Sequence, residues 1–309
     1  MTTQIKDRCR GCLYGLAIGD ALGAAIEFRP QGHFEPVTGY RAGGPHGLNP
    51  GEWTDDTSMA LALAASLAKG WDIDDQAQQY LQWRMSGKYS VNGKCFDIGI
   101  TTAQSLRRFQ LNGEADVSGA TSEYESGNGS IMRLAPVPIL CAQDLAYSYP
   151  TIASRCEASS IPTHASDQCR SACRYLGIIL AGLLRGESRL TVLSPTWTRL
   201  QDMIHHKDLN ANVKLIAKGS FRHKEERQIK GSGWVVQSLE AALWAFHDAP
   251  DFETAVLKAV NLGDDADTTG AVCGQLAGAY WGITGIPQHL IDGLARKDMI
   301  DAALKGIVG

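Results

Sequence analysis

The chain is short of long apolar runs. Across its 309 residues no stretch of about eighteen uncharged apolar side chains occurs, the length a membrane-spanning helix needs. The longest apolar stretches, such as 176–184, lie inside amphipathic patterns. A basic surplus is also missing: 29 Lys and Arg face 33 Asp and Glu, a net charge of -4. General nucleic-acid binding is therefore not expected. The opening MTTQIKDRCR lacks the apolar core of a secretory leader. A chain this long needs no disulfide staples, so its 8 cysteines are expected as reduced thiols in a cytoplasmic protein. Cys9 and Cys12 form a lone CxxC, and Cys169 and Cys173 a CxxxC. Zinc ligation is conceivable, but small core residues on a helix face are the expectation. With 44% hydrophobic and 20% charged residues, the composition excludes a disordered protein.

Alternating strand patterns are scarce too, and helical spacing dominates. Apolar stripes run through Cys12, Leu13, Leu16 and Ala21; Met59, Leu63 and Leu67; Cys169, Cys173, Leu176, Leu180 and Leu183; Val235, Leu239, Ala242 and Phe246; and Val272, Leu276 and Tyr280. The run 135–140 resembles a short strand, but Pro136 and Pro138 argue against one. Gly and Ala crowd these stripes (GLAIGDALGAA, AVCGQLAGAYWG), which implies close helix packing or close backbone approach to a ligand. The expected fold is an all-α, compact, many-helix orthogonal bundle in one domain, 1–309. Three stretches break the pattern: 29–54, 113–133 and 190–233. The last is polar and locally basic, and is expected as a solvated insertion, with a lid or partner surface as the alternative.

Two acidic clusters precede helical stripes: Trp53-Thr54-Asp55-Asp56-Thr57 before Met59, and Asp264-Asp265-Ala266-Asp267-Thr268-Thr269 before Val272. One Asp or Thr at each place is accounted for as an N-cap. Adjacent carboxylates repel, so a compensating cation is the economical account of the rest. Oxygen donors without His or Cys suit Mg²⁺, Mn²⁺ or Ca²⁺ rather than zinc.

With these motifs in order (GDALG, WTDDT, FDIG, SGNGSIMR, THAS, GDDADTTGA), the sequence resembles the ADP-ribosylglycohydrolase family over almost its whole length. The resemblance implies an all-α hydrolase holding two divalent cations, Mg²⁺ or Mn²⁺. Its substrate would be a mono-ADP-ribosylated protein, and its product ADP-ribose, most often cut from arginine. O-linked serine, another acceptor, or contact inhibition of an ADP-ribosyltransferase toxin are the alternatives. Carried over by motif, Thr54, Asp55, Asp56, Asp265, Asp267 and Thr268 are the implied metal ligands. Asp264 stands where many relatives have glycine and is left out of that set. Glu27 and Asp97 are the implied acid/base residues, with Asp55 and Asp265 also in the catalytic set. By position alone Asp97 also suits an N-cap for a helix starting near Thr101. Gly127, Asn128, Gly129 and Ser130 form a turn whose amides are expected to hold pyrophosphate. His164 is expected near the phosphates or ribose, or as a structural histidine. Trp234 is expected to stack on adenine, or to be the first core residue of its helix.

Overall fold

The computed structural model describes residues 2–308. It is 62% helical, with fifteen α-helices and no sheet among the described residues. In chain order, α1 (Thr3–Gly23) leads through the irregular segment 24–54 into α2 (Asp55–Leu67), α3 (Ile73–Ser86) and α4 (Ile100–Asn112). An irregular stretch with two single 3₁₀ turns follows. Next come α5 (Pro136–Ala142), α6 (Tyr149–Ser160) and α7 (Asp167–Leu184). Three short helices succeed them, α8 (Arg189–Val192), α9 (Thr198–His206) and α10 (Ala211–Ala217). The chain closes with α11 (Val235–Phe246), α12 (Phe252–Val260), α13 (Ala266–Trp281), α14 (Gln288–Gly293) and α15 (Lys297–Val308).

Local chemistry sets the ends. Asp72 caps α3 by accepting from the amides of Asp74 and Asp75, Ser166 caps α7 and Asp251 caps α12. Pro136 and Pro138 both fall in the first turn of α5, where helix amides have no intrahelical partner, so the run 135–140 is helical. Helix α7 is the central element. Its second half, Leu176–Leu184, is buried on every face, as a helix apolar all round must be.

α1 and α13 pack antiparallel with their backbones in contact. A Cβ added at Gly15 would lie 2.2 Å from the carbonyl oxygen of Gly274, and one at Gly274 would lie 1.9 Å from that of Gly15. The same holds for Gly11 against Gly278 (2.4 Å) and Gly19 against Gly270 (2.0 Å). The glycines recur at every fourth position in both helices, and each is paired with one on the other helix. At this seam they serve helix packing rather than ligand approach.

The segment 190–233 is not a solvated loop. It folds into α8–α10 and two 3₁₀ turns, fastened to the core by Val192, Trp197, Leu200, Met203, Val213, Ile216 and Phe221, each no more than 4% exposed. These helices are too short for a periodic stripe to stand out in the sequence. All eight cysteines are free; Cys9, Cys12, Cys169 and Cys173 are core residues whose thiols burial pushes upward. Among the described residues no helix is long and apolar enough to cross a membrane.

Candidate active site

Helix α2 begins at the first acidic cluster and α13 at the second, and neither cluster is used up by capping. Thr54 is the N-cap of α2 and Asp265 that of α13, yet neither side chain makes a capping hydrogen bond. The capping account of these residues therefore leaves their oxygens free for other work.

The glycine seam brings the clusters together. α1 carries Asp20, fully buried, whose carboxylate accepts from the Thr54 amide (2.8 Å), the Thr57 amide (3.0 Å) and the Thr57 hydroxyl (2.6 Å). Asp20 thus bolts the start of α2 to α1. The one Thr54 hydroxyl proton faces three carboxylate oxygens, on Asp20 at 3.0 Å, Asp56 at 3.3 Å and Asp267 at 3.2 Å. The Thr268 hydroxyl lies 3.3 Å from Asp56. One oxygen each of Asp56 and Asp267 is buried with no hydrogen-bond partner among the described residues. Acceptors outnumber protons here, and orphaned buried carboxylate oxygens are costly.

Glu27 and Asp97 complete the cavity. Glu27, Asp265 and Asp267 each offer an oxygen within 4.8 Å of the others. His46, from the segment 24–54, places Nε2 3.0 Å from Glu27 and 3.0 Å from Asp97, and is the one basic side chain paired with the cluster among the described residues. Asp97 does not cap α4, which starts at Ile100 with Gly99 as its cap. Instead Asp97 takes a left-handed φ of 61° that turns its carboxylate to His46 and Glu27.

Burial, reinforced by the neighbouring negative charges, pushes Glu27 up to about 9 and Asp97 to about 8. Burial likewise raises Asp20 to about 6, opposed by its threonine and amide donors. Asp55, Asp56, Asp265 and Asp267 all shift upward, with burial the largest cause. An oxygen-only donor set, orphaned acceptors and mutual repulsion all fit hard divalent cations.

The cavity measures about 360 Å³ and is lined by Glu27, Phe28, Asp55, Asp97, Thr102, Asn128, Gly129, His164, Asp265, Asp267 and Thr268, among others. Asn128 donates to Asp265 at 2.6 Å. The amide of Gly127 is spent on Glu125 and that of Asn128 on Gly233. The amides of Gly129 and Ser130 make no hydrogen bond among the described residues. The Ser130 side chain turns away from the cavity to meet Cys173 of α7. His164 is buried with Nδ1 2.8 Å from the Thr163 hydroxyl; its pKa is depressed to about 3 by burial and by the Arg133 charge, so the ring is neutral. It backs directly on Gly129, where a Cβ would lie 2.7 Å from its Cε1.

Trp234 lies outside this cavity. An antiparallel bridge between Gly127 and Trp234 separates the cavity from a second recess, lined by Ser122, Glu123, Tyr124, Gln168 and Trp234. The indole donates to Gln168 at 2.7 Å and is 38% exposed, so Trp234 is not a core residue. Asp264 is also not among the residues that line the cavity. Its φ of 54° is left-handed, a value glycine adopts freely.

Asp20 and His46 are the members sequence reading did not single out. Asp20 carried a signal, an aspartate in the middle of an otherwise apolar helical stripe. His46 carried none, because only the course of an irregular segment brings it to Glu27.

Comparison with known proteins identifies the family to which the chain is similar. A family model described as ADP-ribosylglycohydrolase matches residues 1–308. The ADP-ribosylarginine hydrolase Tri1 of Serratia proteamaculans is 39% identical over 302 residues, spanning 96% of this chain and 78% of that one. The ADP-ribosyl-(dinitrogen reductase) glycohydrolase of Rhodospirillum rubrum is 30% identical over 301 residues, covering 95% and 92%. A solved structure described as an ADP-ribosylglycohydrolase-related protein complex superposes with a TM-score of 0.83 at 37% identity, covering 99% of both chains.

Proposed function

The chain belongs to the ADP-ribosylglycohydrolase family, and from that premise we propose that it removes ADP-ribose from mono-ADP-ribosylated protein by hydrolysing the N-glycosidic bond to arginine. The observation that carries the reading is the meeting of Glu27, Asp55, Asp97, Asp265 and Asp267 in one cavity, beside carboxylate oxygens that lack donors. Thr54, Asp55, Asp56, Asp265, Asp267 and Thr268 are the residues that would hold two divalent cations, Mg²⁺ or Mn²⁺. When bound, such ions supply Lewis-acid polarisation of ribose hydroxyls and activation of water.

The chain's own groups do the rest. Cleavage builds positive charge on the ribose ring, and the surrounding carboxylates stabilise it. Glu27 and Asp97, each 3.0 Å from His46 Nε2, are the acids that supply the proton to the departing guanidine nitrogen, while water gives its hydroxyl to the anomeric carbon. The free amides of Gly129 and Ser130 are the donors for pyrophosphate oxygens, and neutral His164 adds no positive charge there. The recess at Trp234 is the place for adenine, an aromatic face one bridge away from the cavity. The eight free thiols agree with a reducing compartment.

The test is release of free ADP-ribose, followed by mass, from an arginine-ADP-ribosylated protein with added Mg²⁺ or Mn²⁺, beside a serine-linked substrate. Release from the arginine substrate, lost in the Asp55→Ala, Asp265→Ala double variant, is the expected result. Release from serine alone assigns the other acceptor. Protection against a transferase that survives the double substitution assigns contact inhibition instead.

A further inference from the structure

Two exposed apolar side chains stand on the rim of the carboxylate cavity: Phe28, 68% exposed, and Ile100, 78% exposed. Phe28 is the more telling. Its backbone is left-handed, with φ 63°, a conformation that costs a bulky residue about 1 kcal/mol or more. The conformation has a local cause. The Phe28 amide donates to the Asp264 carbonyl at 2.7 Å, and the Asp264 amide donates to the Arg29 carbonyl at 2.7 Å. That bridge ties the segment carrying Glu27 to the segment carrying Asp265. It requires a left-handed residue at position 28, and glycine would serve it at lower cost. Nothing in the bridge requires an aromatic ring, and a ring left in water at a strained position adds little to folding. The ring therefore needs a role outside the fold.

Its surroundings point to one. Phe28 follows Glu27 directly, Ile100 lies three residues beyond Asp97, and all four residues line the same cavity. With ADP-ribose in the cavity, the acceptor side chain has to leave past this rim. An acceptor with a planar cation on an aliphatic stem suits such a surface: the ring face attracts the cation, the aliphatic rim covers methylenes, and the acids below favour positive charge. A hydroxyl acceptor offers neither feature.

Resting on the arginine reading above, we propose that Phe28 is the acceptor-recognition residue, its ring seating the guanidinium while Ile100 on the same rim covers the methylene stem. The substitutions Phe28→Ala, Phe28→Tyr and Phe28→Gly test it, with an ADP-ribosylarginine peptide as substrate and agmatine as a competing guanidinium. Phe28→Ala is expected to lower kcat/KM by about tenfold, chiefly through KM, and to lose inhibition by agmatine, while its affinity for free ADP-ribose stays within about twofold of wild type. Phe28→Tyr should keep both properties. Phe28→Gly, which relieves the left-handed strain, should show the same catalytic loss with an unchanged or higher Tm, separating recognition from folding. Wild-type kcat/KM and agmatine inhibition in Phe28→Ala would overturn the proposal while leaving the arginine reading intact. A wild-type protein inert on the arginine peptide would sink that reading and this inference with it.

Discussion

The seam between α1 and α13 and the layer formed by 190–233 both border the carboxylate cavity, yet they are built on opposite plans. At the seam, backbone meets backbone: glycines at 11, 15 and 19 face glycines at 278, 274 and 270 with no side chain between them. The layer is held by side chains instead, with Lys207 reaching Glu157 and Lys224 reaching Glu240. The seam delivers Asp20 and Asp267, whose oxygens must sit within tenths of an ångström of their partners. The layer touches the site mainly through the strand-like stretch at Gly231 and Gly233, which holds the Asp265 amide and the Asn128 amide. Backbone-to-backbone packing lies behind the acids, and side-chain packing holds the layer beside the cavity.

The sharpest way to break this contrast is at the seam. Gly274→Ala places a methyl 1.9 Å from the Gly15 carbonyl, so the helices must part. A loss of at least about 3 kcal/mol in urea unfolding is expected, with activity falling only because folded protein is lost. A variant as stable as wild type would mean that the backbones do not touch. At the acids the sign reverses. Asp56→Asn removes one repelling charge and gives an orphaned position a donor, so the metal-free protein should gain Tm while turnover drops by more than about 100-fold. A fall in Tm would show that the cluster stabilises the fold rather than straining it.

A smaller, graded effect should appear with pH. Glu27, Asp97 and Asp20 have pKa values raised in the fold to about 9, about 8 and about 6, from 4.5, 3.8 and 3.8. The folded state thus binds more protons than the unfolded chain between about pH 4 and 9. Their contribution is complete below the unfolded values and is lost as pH rises through the folded ones. Thermal melts in chelator from pH 6 to 9 should therefore show falling Tm, and added Mg²⁺ should restore more at pH 9 than at pH 6, since ligands must be deprotonated to bind. A Tm that rises over this range in chelator would contradict the arrangement.

Much of this architecture was legible before folding. The apolar stripes marked α1, α2, α7, α11 and α13, and the irregular course of 29–54 followed from its Gly and Pro. The segment 190–233 was harder to read, because helices of one or two turns bury residues such as Trp197 and Phe221 without repeating a pattern. The acid clusters were visible as excess carboxylates beyond what capping uses. Trp234 was visible as an aromatic residue, but its recess beyond the Gly127 bridge was not. Asp20 and His46 escaped because their importance lies in their neighbours, which are 34 and 37 residues distant for Asp20 and 19 for His46.

By itself, the sequence determined the helices, their two acid-bearing starts and the fourfold glycine spacing, since these depend on residues a turn or so apart. Tertiary structure alone decided that the two starts meet, that Asp97 faces Glu27 across His46, and that an exposed ring crowns the cavity. Each of those outcomes depends on which distant backbones can approach one another. Here glycine's missing side chain permits that approach.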